Sequence, residues 1–178
     1  MKKVILTFGG IAGLIVSIFI VVLTVANNQT SKHIGNEFVG YSIMIIAFSF
    51  IFVGVKNFRD RHNNGVISFW QATKIGLGIT LIASTIYVAI WLVDFYLFVP
   101  DFMDKYASHM IDDAKKAGLS GAALQKKIDG MNEIKELYKK PIFVILFTYL
   151  EIAPVGILIS LIAAFILKRK TAPSTALA

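Results

Sequence analysis

Residues 141–167 read PIFVILFTYLEIAPVGILISLIAAFIL, and this stretch decides the fold. Lys139-Lys140 precede it, Lys168-Arg169-Lys170 follow it, and Glu151 is the one charge inside it. A helix rising 1.5 Å per residue over this length reaches roughly 40 Å, enough to cross a hydrocarbon core about 30 Å thick with some tilt. No water is available in that core to bond the backbone, so a single apolar segment must bond its own peptide groups as a helix. The stretch reads as a membrane-spanning helix with a carboxyl group deep in lipid.

The composition agrees. Of 178 residues, 56% are hydrophobic, and the mean hydropathy of +0.70 is too high for an ordinary soluble domain. One polytopic membrane domain is expected. The absence of cysteine excludes disulfides and thiolate metal sites. The formal charge of +7 invites a nucleic-acid reading, but the basic residues without acidic neighbours sit at the ends of apolar runs. There they set topology and meet anionic headgroups, and no base-reading module accompanies them.

Three further runs precede the first one quoted, at about 4–26, 38–55 and 72–99. The run 4–26 follows Met1-Lys2-Lys3 as a signal peptide would, yet it is much longer than a signal's apolar core and reads as an uncleaved span. Gly9 and Gly13 form a GxxxG pair within it, read as intramolecular packing in preference to a dimer face. Residues 27–37 are a polar loop, and Lys56–Gly65 is a basic loop ending in a turn signal. Ser68-Phe69-Trp70-Gln71 has the form of a capping box, which starts the third helix near Phe69. Trp70, Tyr87, Trp91 and Tyr96 are expected as interfacial anchors towards its two ends.

Residues 100–140 are the one sizeable polar piece. Phe102, Tyr106, Met110, Ala114 and Ala117 repeat near helical spacing, Gly118 suits a C-terminal cap, and Ser120 opens a second helix. Leu124, Ile128, Met131, Ile134 and Tyr138 line one side of that helix. The expected fold is all-α: four transmembrane helices in a bundle, with an amphipathic helical hairpin between the third and fourth. Residues 168–178 form a short tail.

Lysine and arginine divide evenly between the two sides of such a bundle, but their setting differs. One side carries Lys2, Lys3, Lys56, Arg59, Arg61, Lys74 and the 168–170 cluster against Asp60 alone; the other carries lysines mixed with acids. Short basic loops beside spans weigh most in topology, so both termini are expected in the cytoplasm.

Polar residues recur along each span: Thr7, Gly10, Ser17 and Thr24; Ser42 and Ser49; Thr80, Ser84, Tyr87, Trp91 and Asp94; Thr148 with Glu151, beside a Gly156, Ser160, Ala164 ridge. Helices gain no hydrophobic burial against one another in lipid, so such stripes are expected to face inward as packing seams. Glu151 costs at least about 2.5 kcal/mol to insert and is a functional candidate by default. Depth along the helices puts Ser17, Ser84 and Tyr87 near its level and Asp94 nearer the outer interface. With no Lys or Arg at that depth, Glu151 is expected neutral and donating a hydrogen bond, either as packing glue beside the Pro154 break or as a proton or ion site.

Lys56, Arg59 and Arg61 are the candidate contacts for anionic lipid or a cytosolic partner. His109 and Asp113 share a helix face, but two ligands without a third make no metal site. No arrangement for an enzyme or a cofactor is found.

The segments Phe52-Val53-Gly54-Val55-Lys56-Asn57-Phe58-Arg59-Asp60, Gly65-Val66-Ile67-Ser68-Phe69, Pro100-Asp101-Phe102 and Leu150-Glu151-Ile152-Ala153-Pro154-Val155-Gly156 resemble those of a family of small bacterial membrane proteins, domain-of-unknown-function family 4199. The resemblance covers nearly the whole chain. It implies four helices, a long loop before the last, and a bacterial cytoplasmic membrane, and it brings no activity with it. Two functions stay open. One is a non-catalytic accessory or scaffold protein binding lipid, another membrane protein or itself. The other is a small proton- or ion-coupled transport component working through Glu151.

Overall fold

The computed structural model describes residues 1–29 and 37–170, and those residues are helical nearly throughout. In chain order the helices are α1 (Lys2–Gln29), α2 (Glu37–Phe48), α3 (Phe50–His62), α4 (Phe69–Leu97), α5 (Phe102–Lys116), α6 (Gly121–Tyr138) and α7 (Pro141–Leu167). Four segments are long and apolar enough to cross a membrane: Lys2–Ala26, Phe38–His62, Phe69–Leu97 and Pro141–Leu167. The α5–α6 pair lies between the third and fourth in sequence. The polar loop centred on Lys32 and His33 and the tail beyond Lys170 fall outside the described residues.

The second span is longer than its apolar run. Helix continues through Lys56, Arg59 and Arg61 to His62, where a loop was expected. Lysine and arginine are good helix formers, and cations favour the last turn, where carbonyls accumulate negative charge. The interruption lies at Ser49, whose hydroxyl donates to the Ile46 carbonyl at 2.6 Å while its amide still reaches Ile45 at 2.9 Å. The chain reverses after His62 at Asn64 and Gly65, both in the left-handed region at φ 51° and 77°. The Ser68 hydroxyl then accepts the Gln71 amide at 3.2 Å, as the capping box requires. The other half of the box differs, since the Gln71 side chain accepts from Asn63 at 3.4 Å.

Contacts divide the chain into two units. The first comprises residues 1–91 and those from Tyr149 on. Its register follows from glycines. Gly9 abuts Ile82 and Ile79, Gly13 abuts Ile86 and Ala83, and Gly78 abuts Ile5, so α1 and α4 run parallel. Gly76 lies against Ser160 and Gly156 against Thr80, so α4 and α7 run antiparallel. Phe48 also meets Gly156, and Arg59 reaches the Leu167 carbonyl, which sets α2–α3 parallel to α7. The spans therefore alternate in direction. Phe48, Ile51, Val55, Ile75, Ile79 and Ile152 fill the space between them.

The inward faces are set by where backbones approach. On α1 that face is Gly9, Ala12, Gly13, Val16 and Ser17, with Thr24 further on; Thr7 is exposed and Gly10 meets open space, contrary to the expected stripe. Ser49 is exposed and Ser42 half-buried, and their hydroxyls bond carbonyls of their own helix, so they need no inward partner. On α4 the whole expected set is buried: Thr80, Ser84, Tyr87, Trp91 and Asp94. Tyr87 and Trp91 are therefore core, and of the four aromatic anchors only Trp70 and Tyr96 are exposed.

The second unit, Leu92–Thr148, holds α5 and α6. Its α5 buries Met103 and Ala107 and half-buries Met110 and Ala114, a face displaced from the expected one, for Tyr106 and Ala117 are exposed. On α6 the face is as read, with Met131 buried and Leu124, Ile128, Ile134 and Tyr138 half-buried around it. Gly118, at φ 88°, closes α5, and an ion pair joins Lys135 to Asp104 across the two helices. Ser120 is extended, as an N-cap is, without a side-chain cap bond. Lys105 bonds Asp101 at 2.7 Å and holds that carboxyl below its ordinary range, an exposed contact of small energetic weight.

The α4–α7 crossing tolerates little addition. A methyl at Gly156 would meet Thr80 and lie 2.9 Å from Phe48 Cζ. Gly156→Ala is expected to cost about 1–3 kcal/mol, the range for overpacking. Gly10→Ala, in open space, should stay within about 0.5 kcal/mol. Detergent-titrated unfolding of the two variants checks this, and equal stability would contradict the crossing.

Candidate functional site

Two polar regions of the first unit are candidates: a seam between α4 and α7, and the end where basic residues gather. The seam is built on α4, whose residues 80, 84 and 87 share one helix face at steps of four and three. Thr80 and Ser160 hydroxyls lie 3.2 Å apart, and Ser160 also donates to the Gly156 carbonyl at 2.7 Å. Nearby, the Thr85 and Tyr149 hydroxyls pair at 2.9 Å. A shallow groove of about 170 Å³ runs along this crossing, lined by Leu77, Thr80, Leu81, Ser84, Tyr149, Ala153 and Ile157. Its walls are mostly aliphatic, so it suits packing better than passage of an ion. Ser17 and Ser84 are each 1% exposed, and their hydroxyls have no hydrogen-bond partner among the described residues.

Glu151 does not face this seam. Tyr149 opposite Thr85 and Gly156 opposite Thr80 put Glu151 level with Ser84, but the carboxylate residue is exposed. Five residues from Gly156, it lies about 140° round the helix from the close approach. The ridge of Gly156, Ser160 and Ala164 takes the inward face because only small side chains let the backbones meet there. The structure thus buries Ser17, Ser84 and Tyr87 and leaves Glu151 outside them, correcting the expectation of one inward polar site. Asp94, 4% exposed, belongs to the second unit. His109 and Asp113 approach only to 4.0 Å, and no group of three metal-binding side chains occurs among the described residues.

At the basic end, Arg59 has a role the sequence did not reveal. Its Nε and Nη2 donate to Asp60 at 2.6 and 3.1 Å, and its Nη1 donates to the Leu167 carbonyl at 3.3 Å. The guanidinium therefore satisfies a carbonyl at the α7 C-terminus, where cations are favoured. Beside it, Ile67 and Arg169 exchange both backbone hydrogen bonds, at 2.9 and 2.8 Å. Lys56 and Arg61 are exposed, and Lys168 lies 4.3 Å from the Phe165 ring centre. Of the three residues expected to meet anionic groups, Lys56 and Arg61 are open to do so, and Arg59 is committed to the fold. Arg59→Met should lower stability by about 0.5–1.5 kcal/mol, chiefly through the lost bond to the part-buried Leu167 carbonyl, while Arg61→Met stays within about 0.5 kcal/mol. Thermal unfolding in detergent distinguishes them, and equal effects would reject the capping role.

Comparison with curated proteins and with solved structures gave no match. Residues 7–169 match the family described as protein of unknown function, DUF4199. That span takes in most of α1, all of the other three apolar segments and the α5–α6 pair, and the chain belongs to the DUF4199 family.

Proposed function

We propose that this protein is a non-catalytic accessory or scaffold protein of the bacterial cytoplasmic membrane, with both termini in the cytoplasm, that engages anionic headgroups through its basic end. The observation that carries this reading is the gathering of charge. The register of α1 on α4, the Arg59 contact with Leu167 and the Ile67–Arg169 pairing bring Lys2, Lys3, Lys56, Arg61, Lys74 and residues 168–170 to one end of the first unit. Asp60 is the acid among them, and it is held by Arg59. A ring of cations at one end of a set of spans is what a negatively charged cytoplasmic leaflet attracts, at about 1 kcal/mol for each residue near the surface. The α5–α6 pair carries lysines balanced by aspartates and glutamates, a mixture that the charge rule does not hold to the cytoplasm.

Ion-coupled transport through Glu151 is the weaker alternative. It needs the carboxyl on an inward, hydrated path, and Glu151 lies on the exposed side of α7.

Two measurements test the proposal. The chain contains no cysteine, so single cysteines at Ser120 and Lys170 report topology without background. A membrane-impermeant maleimide should label Ser120→Cys in intact cells and Lys170→Cys only after permeabilisation; the reverse pattern overturns the orientation. In nanodiscs, anionic lipid should raise the melting midpoint above that in neutral lipid. The rise should shrink at least by half in a Lys56→Gln, Arg61→Gln double variant, and an unchanged rise overturns the headgroup reading.

A further inference from the structure

The groove along the α4–α7 crossing exists because small residues sit between large ones. Thr80 and Ser84 on α4 are buried and Ala153 on α7 is half-buried, while Leu77, Leu81 and Ile157, 39%, 61% and 43% exposed, stand around them. Its polar groups are engaged or withdrawn. The Thr80 hydroxyl lies against Ser160, Thr85 pairs with Tyr149 at one end, and Ser84 is 1% exposed. An occupant therefore meets chiefly methyl and methylene groups. Rims as open as Leu81 and Ile157 face hydrocarbon in a spanning bundle, so the groove suits an alkyl chain and not water or an ion.

Beyond the other end lie cations. Lys74, Leu77, Leu81 and Thr85 follow one another along one face of α4 at steps of three and four. Lys74 is exposed and has no acidic partner among the described residues. On the α7 side, Lys168 is also exposed and stands eleven residues from Ile157, a spacing that returns a helix to the same face. Gly76 against Ser160 and Gly156 against Thr80 put Lys168 roughly 9 Å further out than Lys74. Trp70, one turn before Lys74 and 71% exposed, suits the interfacial level. From Lys74 to Thr85 is roughly 16 Å, about half of a hydrocarbon core. The lysine and the groove thus span one leaflet. A second copy related by an axis along the membrane normal would bring the same lysines to the same depth, where they repel. An anionic lipid meets both the charge and the aliphatic walls.

We propose that the groove seats one acyl chain of an anionic phospholipid from the leaflet at the basic end, with its phosphate held by Lys74 and Lys168. The proposal rests on the headgroup reading above and adds where a single lipid is held and by which of its parts. Each lysine carries its ammonium on a flexible stem that can snorkel to phosphate depth. The chain fills space that the bundle leaves over its small residues. The groove holds the chain, and the lysines select the charge.

In the test, the full chain is reconstituted in an equal mixture of phosphatidylglycerol and phosphatidylcholine with identical acyl chains. It is then released into detergent and weighed by native mass spectrometry. The monomer should retain one phosphatidylglycerol, preferred over phosphatidylcholine by about fivefold or more, the effect of one lysine near an anionic surface. Lys74→Gln should bring the two lipids to parity. Ala153→Leu fills the groove, and a Leu81→Ala, Ile157→Ala double variant lowers its rims. Each should cut retention by about threefold or more although both lysines remain. The rim variant trims only exposed side chains, so its melting midpoint in detergent should match the parent's. Equal retention of the two lipids by the parent, an unchanged preference in Lys74→Gln, or undiminished retention in both groove variants would overturn the proposal. A lipid-free dimer that the rim variant dissociates would also overturn it, in favour of self-association. The Lys56→Gln, Arg61→Gln double variant should keep the retained lipid. A midpoint raised by anionic lipid with no lipid retained rejects the groove alone, and a retained lipid without that rise rejects the wider headgroup reading alone.

Discussion

Helices in a bilayer have no hydrophobic reason to touch one another, since lipid tails are as apolar as leucine. The first unit answers this constraint by letting backbones meet where side chains are smallest. Gly9 and Gly13 admit α4 to α1, and Gly76 and Gly156 admit α7 to α4 across Ser160 and Thr80. α4 is accordingly the most enclosed span, with 50% of its apolar window buried against 28–33% for the other three. The rest follows from that helix. Its polar face is consumed by packing, and whatever polar chemistry lies elsewhere is turned away from the seam.

The same geometry separates structural charge from available charge. Arg59 is spent on Asp60 and on the end of α7, while Lys56 and Arg61 stay exposed beside it. Along a single helix these three residues look alike. What distinguishes them is that α3 and α7 end together, a long-range fact with no local signature.

The spans were legible because twenty or so apolar residues between charges leave few alternatives to a membrane helix. The GxxxG pair of α1, the capping box at Ser68 and the α6 face were legible too, as each depends on neighbours within two turns. The continuation of α3 to His62 has no apolar signature, since the polar residues from Lys56 on end the apolar run and not the helix. The inward faces were harder. Thr7, Ser42 and Ser49 suggested polar stripes, but a serine in a helix can bond its own carbonyls, and two of these do. Charge alone suggests an inward Glu151, yet the residue is exposed, and the small Gly156, Ser160 and Ala164 ridge takes the inward face.

The alternating spans bring the loop after α3 together with the segment after α7. Ile67 and Arg169, which exchange two backbone hydrogen bonds, form the kind of antiparallel pair whose Cα atoms stand about 5.5 Å apart, within disulfide reach. In a chain that otherwise lacks cysteine, Ile67→Cys with Arg169→Cys should oxidise to an intramolecular disulfide in native membranes. Near-complete conversion within one chain, seen as a mobility shift reversed by reductant, is the expected result. Failure to form it, or formation only between chains, would contradict the arrangement.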